Sequence, residues 1–102
     1  MTDIAEGRAV AQKPHLLFFY GEHDGHSRRL EGFLAQVMQR RRNHQTFVIH
    51  RIEASRRADL TERFRIEDVP TLLVLDGRRV RARLVRPSGC GDLKEVLAPW
   101  LR

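Results

Sequence analysis

A short polar loop between two apolar segments holds most of the side chains in this sequence that could do chemistry. The stretch 21–33 reads GEHDGHSRRLEGF, and it places five candidate residues in a row: His23, Asp24, Gly25, His26 and Ser27. Histidine and aspartate can transfer protons or bind metal ions, and a serine hydroxyl can act as a nucleophile. The loop follows an apolar run, a position where α/β proteins often hold ligands.

Neither a hydrolase nor a metal site is strongly indicated by these residues. Ser27 and His26 are adjacent, and adjacent residues rarely adopt the geometry of a nucleophile and its base. His23 and His26 have borderline spacing for metal ligands, whereas structural zinc sites usually need four ligands, commonly with cysteine. The remaining histidines are His15, His44 and His50. We therefore predict no catalytic residue, no metal ligand and no cofactor, although metal-assisted chemistry at the two loop histidines stays open as an alternative.

Length and composition are those of one globular domain, residues 1–102. The chain has 41% hydrophobic residues, enough for a modest core. No window approaches the ~18 apolar residues of a membrane-spanning helix, and the N-terminal stretch lacks the apolar core of a secretory signal. The sequence therefore predicts a cytoplasmic protein that does not insert into a membrane. The single cysteine, Cys90, excludes an intramolecular disulfide and any CxxC redox or zinc site.

The chain is strongly basic, with a formal net charge of +6 that comes mostly from arginine. Such a charge suits nucleic acid, an anionic membrane surface or an acidic protein as partner, and arginine enrichment also follows from genomic base composition. Aromatic residues make up only 7% of the chain and no RRM or KH signature is present. The sequence therefore argues against nucleic acid as the partner.

The spacing of apolar residues predicts the order helix, strand, helix, strand, helix, strand, strand, helix. The predicted segments are 3–12, 15–20, 28–42, 46–52, a helix from an N-cap at Ser55 to Phe64, 71–75, 80–85 and 92–101. In the last strand Val80, Ala82 and Leu84 are predicted to face the core. The arginines between them are predicted to form a solvated face that protects a sheet edge. This order predicts an α/β fold with a mixed sheet of about four strands and helices on both faces.

Four segments resemble the thioredoxin family over nearly the whole chain. LLFFY leading into GEHDGHSR lies where the family has F-W-A-x-W-C-G-P-C-R, and the next segment repeats the family's helix rhythm. LTERFRIEDVPTLLVLDG is similar to L-A-x-K-Y-x-I-x-x-I-P-T-L-L-x-F-x-x-G, and DLKEVLAPWL is similar to the family's last helix. The resemblance implies the thioredoxin fold with a cis Val69–Pro70 bond. In the family this bond brings a backbone edge beside the loop, where extended peptides are held.

The departures from the family pattern imply that the redox chemistry is absent. The two cysteines of the family's motif fall on Asp24 and Ser27, and its buried proton-carrying acid would lie at Phe18. The glycine that keeps the family's groove open corresponds to Arg86. Thiol–disulfide exchange needs a thiolate nucleophile and a resolving thiol, so dithiol oxidoreductase activity is not expected.

The resemblance to cysteine-less members of the family predicts a redox-inactive adaptor or chaperone-like module. Its partner is predicted to be a protein or an acidic or extended peptide segment. The predicted binding residues are His23, Asp24, Gly25, His26, Ser27, Val69, Pro70 and Arg86. Three alternatives remain open: a residual single-thiol activity through Cys90, a nucleic-acid or anionic-surface binder, and a loop that is simply a helix start with Asp24 as N-cap.

Overall fold

Strands and helices alternate along the chain until a β-hairpin precedes the last helix. The computed structural model describes residues 13–39 and 46–101. Its elements are β1 (His15–Tyr20), α1 (Gly25–Gln39), β2 (Val48–Glu53), α2 (Ala58–Arg63), β3 (Thr71–Asp76), β4 (Arg79–Val85) and α3 (Cys90–Leu97), with a 3₁₀ turn at Ala54–Arg56. The helix predicted at 3–12 and the predicted end of α1 at 40–42 lie outside the described residues.

The four strands form one mixed sheet in the order β2-β1-β3-β4. Strands β1 and β2 are parallel, whereas β1 with β3 and β3 with β4 are antiparallel. The two central strands are almost wholly apolar and are buried on both faces, because helices cover both sides of the sheet. The predicted mixed sheet of four strands with helices on both faces is confirmed.

Alternate residues of β1 point to two separate cores. Leu16 and Phe18 pack with the apolar faces of α1 and α3, while Leu17 and Phe19 pack with Leu60 and other residues of and after α2. Strand β1 is therefore fixed from both sides. The loop that follows Tyr20 thus starts from a rigid support.

The prediction that Ser55 caps α2 is wrong. The Glu53 carboxylate accepts a hydrogen bond from the Ser55 amide and caps the 3₁₀ turn instead. Helix α2 begins three residues later, after Arg57, which makes no side-chain capping hydrogen bond. The Glu53 side chain reaches forward from the end of β2 and also accepts a hydrogen bond from the Ser55 hydroxyl, so this hydroxyl is engaged with Glu53 before α2 begins.

The predicted facing of β4 is also wrong at Val80. Leu75 lies opposite Val80 and Val74 lies opposite Ala82, so Arg81 is an extra residue in a β-bulge. A one-residue insertion reverses the face of every residue beyond it. Ala82 therefore packs on the α1–α3 core as predicted, while Val80 turns to the other face and is 42% exposed.

Candidate functional site

Three hydrogen bonds hold the loop between β1 and α1. The Ser27 amide and hydroxyl both donate to Asp24 Oδ2 at 2.8 Å, and the Gly21 amide donates to Ser27 Oγ at 2.9 Å. Asp24 therefore N-caps α1, which begins at Gly25 rather than at the predicted residue 28. The interpretation of Asp24 as a helix cap is confirmed. Ser27 is only 3% exposed, so its hydroxyl belongs to the loop's internal structure.

These hydrogen bonds hold Asp24 in its ionised form. The Ser27 hydroxyl, which donates to the carboxylate, is the main cause that lowers the pKa of Asp24; partial burial acts against it, and the Ser27 amide and the positive charge of Arg86 lower it further. A carboxyl whose pKa is lower in the folded than in the unfolded state stabilises the fold at pH above its unfolded pKa of about 3.9. This contribution is lost as the pH falls through the folded pKa.

Asp24→Ala is therefore expected to destabilise the domain in a pH-dependent way. At pH 7 the loss in free energy of unfolding should be about 1–2 kcal/mol, the usual effect of removing an N-cap. The difference from the unaltered protein should shrink as the pH is lowered below about 4, where the carboxyl becomes protonated. Urea unfolding at pH 7 and at successively lower pH measures it. Asp68→Ala, at an exposed aspartate, is the control, and a loss that stays constant with pH would contradict the explanation.

Arg86 connects the loop to the start of β3. Its backbone amide donates to Pro70 O at 2.9 Å and its guanidinium Nη1 donates to Val69 O at 2.6 Å. Guanidinium Nη2 lies 3.1 Å from His26 Nδ1, and because a guanidinium can only donate, the imidazole nitrogen accepts. The Val69–Pro70 peptide bond is cis. The structure thus brings four of the sequence-predicted residues, His26, Val69, Pro70 and Arg86, into one contact network.

Arg86 occupies a backbone conformation that favours glycine. Its φ of 45° is in the left-handed region, which non-glycine residues rarely adopt. This matches the assignment of Arg86 to the glycine of the family pattern. In place of a glycine without a side chain, Arg86 forms a cationic bridge between His26 of the loop and Val69 beside the cis-proline.

Gly21 is a site residue that the sequence interpretation missed. A Cβ added there would lie 3.1 Å from Asp24 Cβ and 3.2 Å from Val69 Cγ2. A side chain at position 21 would therefore push the loop or Val69 away by a few tenths of an ångström, where the end of β1 passes close to both. The available signal was a glycine directly after an apolar strand, which often marks a close approach of chain segments.

The exposed surface around the loop carries both arginines and a carboxylate. Arg28 and Arg29 are exposed in the first turn of α1. Glu22 is also exposed, and its carboxylate lies 3.6 Å from Arg56 Nη2. The Asp24 carboxylate is turned inward to Ser27. A partner at the loop would therefore meet guanidinium and imidazole groups together with carboxylates that already have partners.

The histidines do not gather at the loop. His15 Nδ1 lies 2.8 Å from His50 Nε2 at the start of β1, the opposite end of that strand from the loop. This pair lines a cavity of about 520 Å³ beside α2. Within residues 13–39 and 46–101 no three His, Cys, Asp or Glu side chains are grouped as metal ligands. His44 lies outside the described residues.

The sequence matches the model of the thioredoxin family over residues 4–98. The chain belongs to the thioredoxin family. The pair of cysteines in the thioredoxin active-site motif is missing from this chain. Its single cysteine, Cys90, is half-buried and is the first residue of α3. Its side chain packs against the core between the sheet, α1 and α3.

Solved structures of thioredoxins have the same fold. The germline-specific thioredoxin Deadhead from Drosophila melanogaster superposes with a TM-score of 0.77 at 21% identity, over 92% of this chain and 87% of that one. The protein Trxlp from Edwardsiella tarda gives a TM-score of 0.76 at 14% identity, with the same coverage of both chains. No curated protein matches this thioredoxin-family chain significantly in sequence. In the described part of the chain no helix is both long and apolar enough to cross a membrane.

Proposed function

We propose that this chain is a redox-inactive, cytoplasmic adaptor or chaperone-like domain that binds an extended, acidic segment of a partner protein. The binding site is here called the loop–proline surface. Its accessible residues are His23, Gly25, His26, Val69 and Arg86, and the less accessible Asp24, Ser27 and Pro70 hold them in place. The observation that carries the proposal is the Arg86 bridge: it joins His26 and Val69 across the position where the family's chemistry takes place.

The reactive groups of the loop are engaged with one another. The Ser27 hydroxyl donates to Asp24 and accepts from Gly21, and its buried position keeps it from a substrate. The His26 Nδ1 lone pair is directed at Arg86. A nucleophile needs an accessible lone pair beside a base. These contacts therefore favour a binding role for the loop over a catalytic one.

The Val69 carbonyl is suited to bind an extended peptide. It accepts its hydrogen bond from the Arg86 side chain rather than from a neighbouring strand. A peptide N–H could replace this donor, as in other complexes where a segment adds to a backbone edge. The displaced guanidinium would then need a new acceptor, and a carboxylate of the peptide would form a charge-assisted hydrogen bond with it. This exchange selects a segment that is both extended and acidic.

Removal of the bridge is expected to weaken partner binding. Arg86→Gly deletes the guanidinium at a position where glycine fits the backbone, and His26→Ala removes the acceptor that orients it. Each change should lower the affinity for an acidic segment at least about tenfold, since a charge-assisted contact contributes about 1.5–3 kcal/mol. A partner would first be captured from lysate, identified by mass spectrometry and purified. Its dissociation constant would then be measured by calorimetry.

The matched control is Arg65→Gly. Arg65 is also exposed and also has a positive φ, 54°, but it lies after α2. This change removes the same charge and the same backbone strain, so its affinity should equal that of the unaltered protein. Unaltered affinity in Arg86→Gly and in His26→Ala would count against the loop–proline surface as the binding site.

A further inference from the structure

Strand β4 lies at an end of the sheet, and no strand pairs with its outer side within the described residues. The outer side of an end strand presents backbone N–H and C=O groups that can pair with another extended segment. We call this outer side, along Arg79–Val85, the β4 edge. It carries three exposed arginines, Arg79, Arg81 and Arg83, and no acidic residue.

We propose that the β4 edge is a second interaction surface, which binds an extended acidic segment of another protein as an additional strand of the sheet. The segment would pair its backbone with β4 and place its carboxylates beside the arginines. This surface lies apart from the Arg86–His26 bridge and does not depend on the loop–proline surface.

Charge decides which chain can pair with the β4 edge. Ion pairs with distances up to 4.0 Å in the described part of the chain involve Arg51, Arg56 and Arg57, and none involves an arginine of β4. A second copy of this chain would place arginine against arginine, and like charges on opposed strands destabilise their pairing. An acidic strand gains attraction at the same positions. The edge therefore disfavours pairing with itself and favours an acidic partner.

The bulge at Arg81 gives one face of β4 a defined pattern. Val80, Arg83 and Val85 lie opposite Leu75, Leu73 and Thr71, so all three share the α2 face of the sheet. Val80 is 42% and Val85 46% exposed, and these are two of the most exposed large apolar residues described. This face therefore presents an apolar, a cationic and an apolar side chain in turn. A matching strand would present an apolar, an acidic and an apolar one.

The central cation of this pattern is held in place. Arg83 Nη2 donates to the Phe64 carbonyl at 2.8 Å, which fixes the guanidinium at the end of α2. A guanidinium has five N–H donors, so the others can still bind a carboxylate. A positioned guanidinium loses less conformational freedom on binding than a free side chain.

A synthetic peptide with a backbone control tests the proposal. The probe is an acetylated octapeptide that repeats valine-glutamate-glutamate-glutamate, so that valine and glutamate follow each other on one face of the strand. Its binding is measured by fluorescence anisotropy at low salt. The first control is the same peptide with N-methyl groups on alternate amides, which keeps the charge and abolishes strand pairing. The unmodified peptide should bind at least tenfold more tightly than the methylated one. Equal affinities would overturn the proposal, because charge alone would then explain the binding.

Two charge-matched variants locate the binding site on the protein. Arg79→Glu/Arg81→Glu should weaken binding of the peptide at least tenfold. Arg51→Glu/Arg56→Glu makes the same change in net charge in and after β2, at the opposite end of the sheet, and should leave the affinity within twofold. Equal losses in the two variants would overturn the proposal.

Amide hydrogen exchange of the unaltered protein gives a readout that needs no variant. Binding of the peptide should slow exchange of amides in Arg79–Val85 that exchange rapidly without it, since these amides become hydrogen-bonded. Protection confined to the Asp24–Ser27 loop would overturn the β4 assignment. Tighter binding of a single-stranded dT oligonucleotide than of the peptide would also overturn it and would assign the cationic edge to nucleic acid.

Discussion

Replacing Asp24 and Ser27 together with cysteine is expected to give the protein disulfide reductase activity. Asp24 Oδ2 and Ser27 Oγ approach to 2.8 Å, so the two side chains face each other, and their positions have the spacing of the two cysteines in the family's motif. Position 24 is half-exposed and position 27 is buried, which suits an attacking and a resolving thiol. Position 24 also lies directly before α1, and the positive end of a helix dipole lowers the pKa of a thiol.

The insulin-reduction assay with dithiothreitol as reductant measures this gain. The unaltered protein and its Cys90→Ser variant should both remain at the background rate, whereas Asp24→Cys/Ser27→Cys in the Cys90→Ser background should exceed it at least tenfold. The single change Asp24→Cys is the control, because an attacking thiol without a resolving one stops at the mixed disulfide. Reduction by the unaltered protein would contradict the redox-inactive proposal. A silent double variant that folds would show that the loop has lost more than its thiols.

The fold could be predicted from the sequence because its signals are local. Strand β1 is a continuous apolar run between polar segments, and α1 repeats its apolar residues every three or four positions. These patterns predict the strands and helices but not how the strands are arranged in the sheet. The similarity to the thioredoxin family around Val69 and Pro70 indicated that arrangement. The loop's cap was predictable for the same reason, since Asp24 and Ser27 are only three residues apart.

The missed features depend on contacts between residues far apart in sequence. The Arg86 side chain binds His26 and Val69, and no pattern along the chain indicates a hydrogen bond that spans 60 residues. The bulge at Arg81 reverses the facing of Val80 without interrupting the alternation of valine and arginine in the sequence. Alternation predicts which residues share a face of the sheet only where neither of two paired strands contains an extra residue.

The structure also connects the missing thiols with the change in the core beneath them. Phe18 stands where the family pattern places its buried acid, and it is 1% exposed in the cluster between the sheet, α1 and α3. It lies opposite Leu72 of β3, and its ring centroid is 5.6 Å from that of Tyr20. A buried acid is useful to a thiol pair as a proton carrier, but without thiols it would only oppose folding. An aromatic side chain at this position stabilises the same core.

Phe18→Asp is accordingly expected to unfold the domain or leave it barely folded at pH 7. Truncation of a buried phenylalanine to alanine lowers the free energy of unfolding by about 3–5 kcal/mol, and a carboxyl without a partner adds a further desolvation cost. Domains have a total stability of about 5–15 kcal/mol, so this loss removes most of it. Circular dichroism during urea unfolding measures the effect, with Phe18→Ala as the variant that separates lost packing from buried charge.

Phe18→Leu is the matched control, because it keeps a large apolar side chain and should therefore cost less than truncation to alanine. A Phe18→Asp variant as stable as Phe18→Ala would mean that water or a protein group reaches this position. An acid there would then be tolerated, and the phenylalanine would not be the reason that proton transfer is absent. The expected order of stability, with Leu above Ala and Ala above Asp, follows only if the site beneath the loop is a closed apolar core. In that case adding the two thiols back restores the reacting groups but not the proton carrier, so the rate of the double cysteine variant should stay below that of a complete dithiol enzyme.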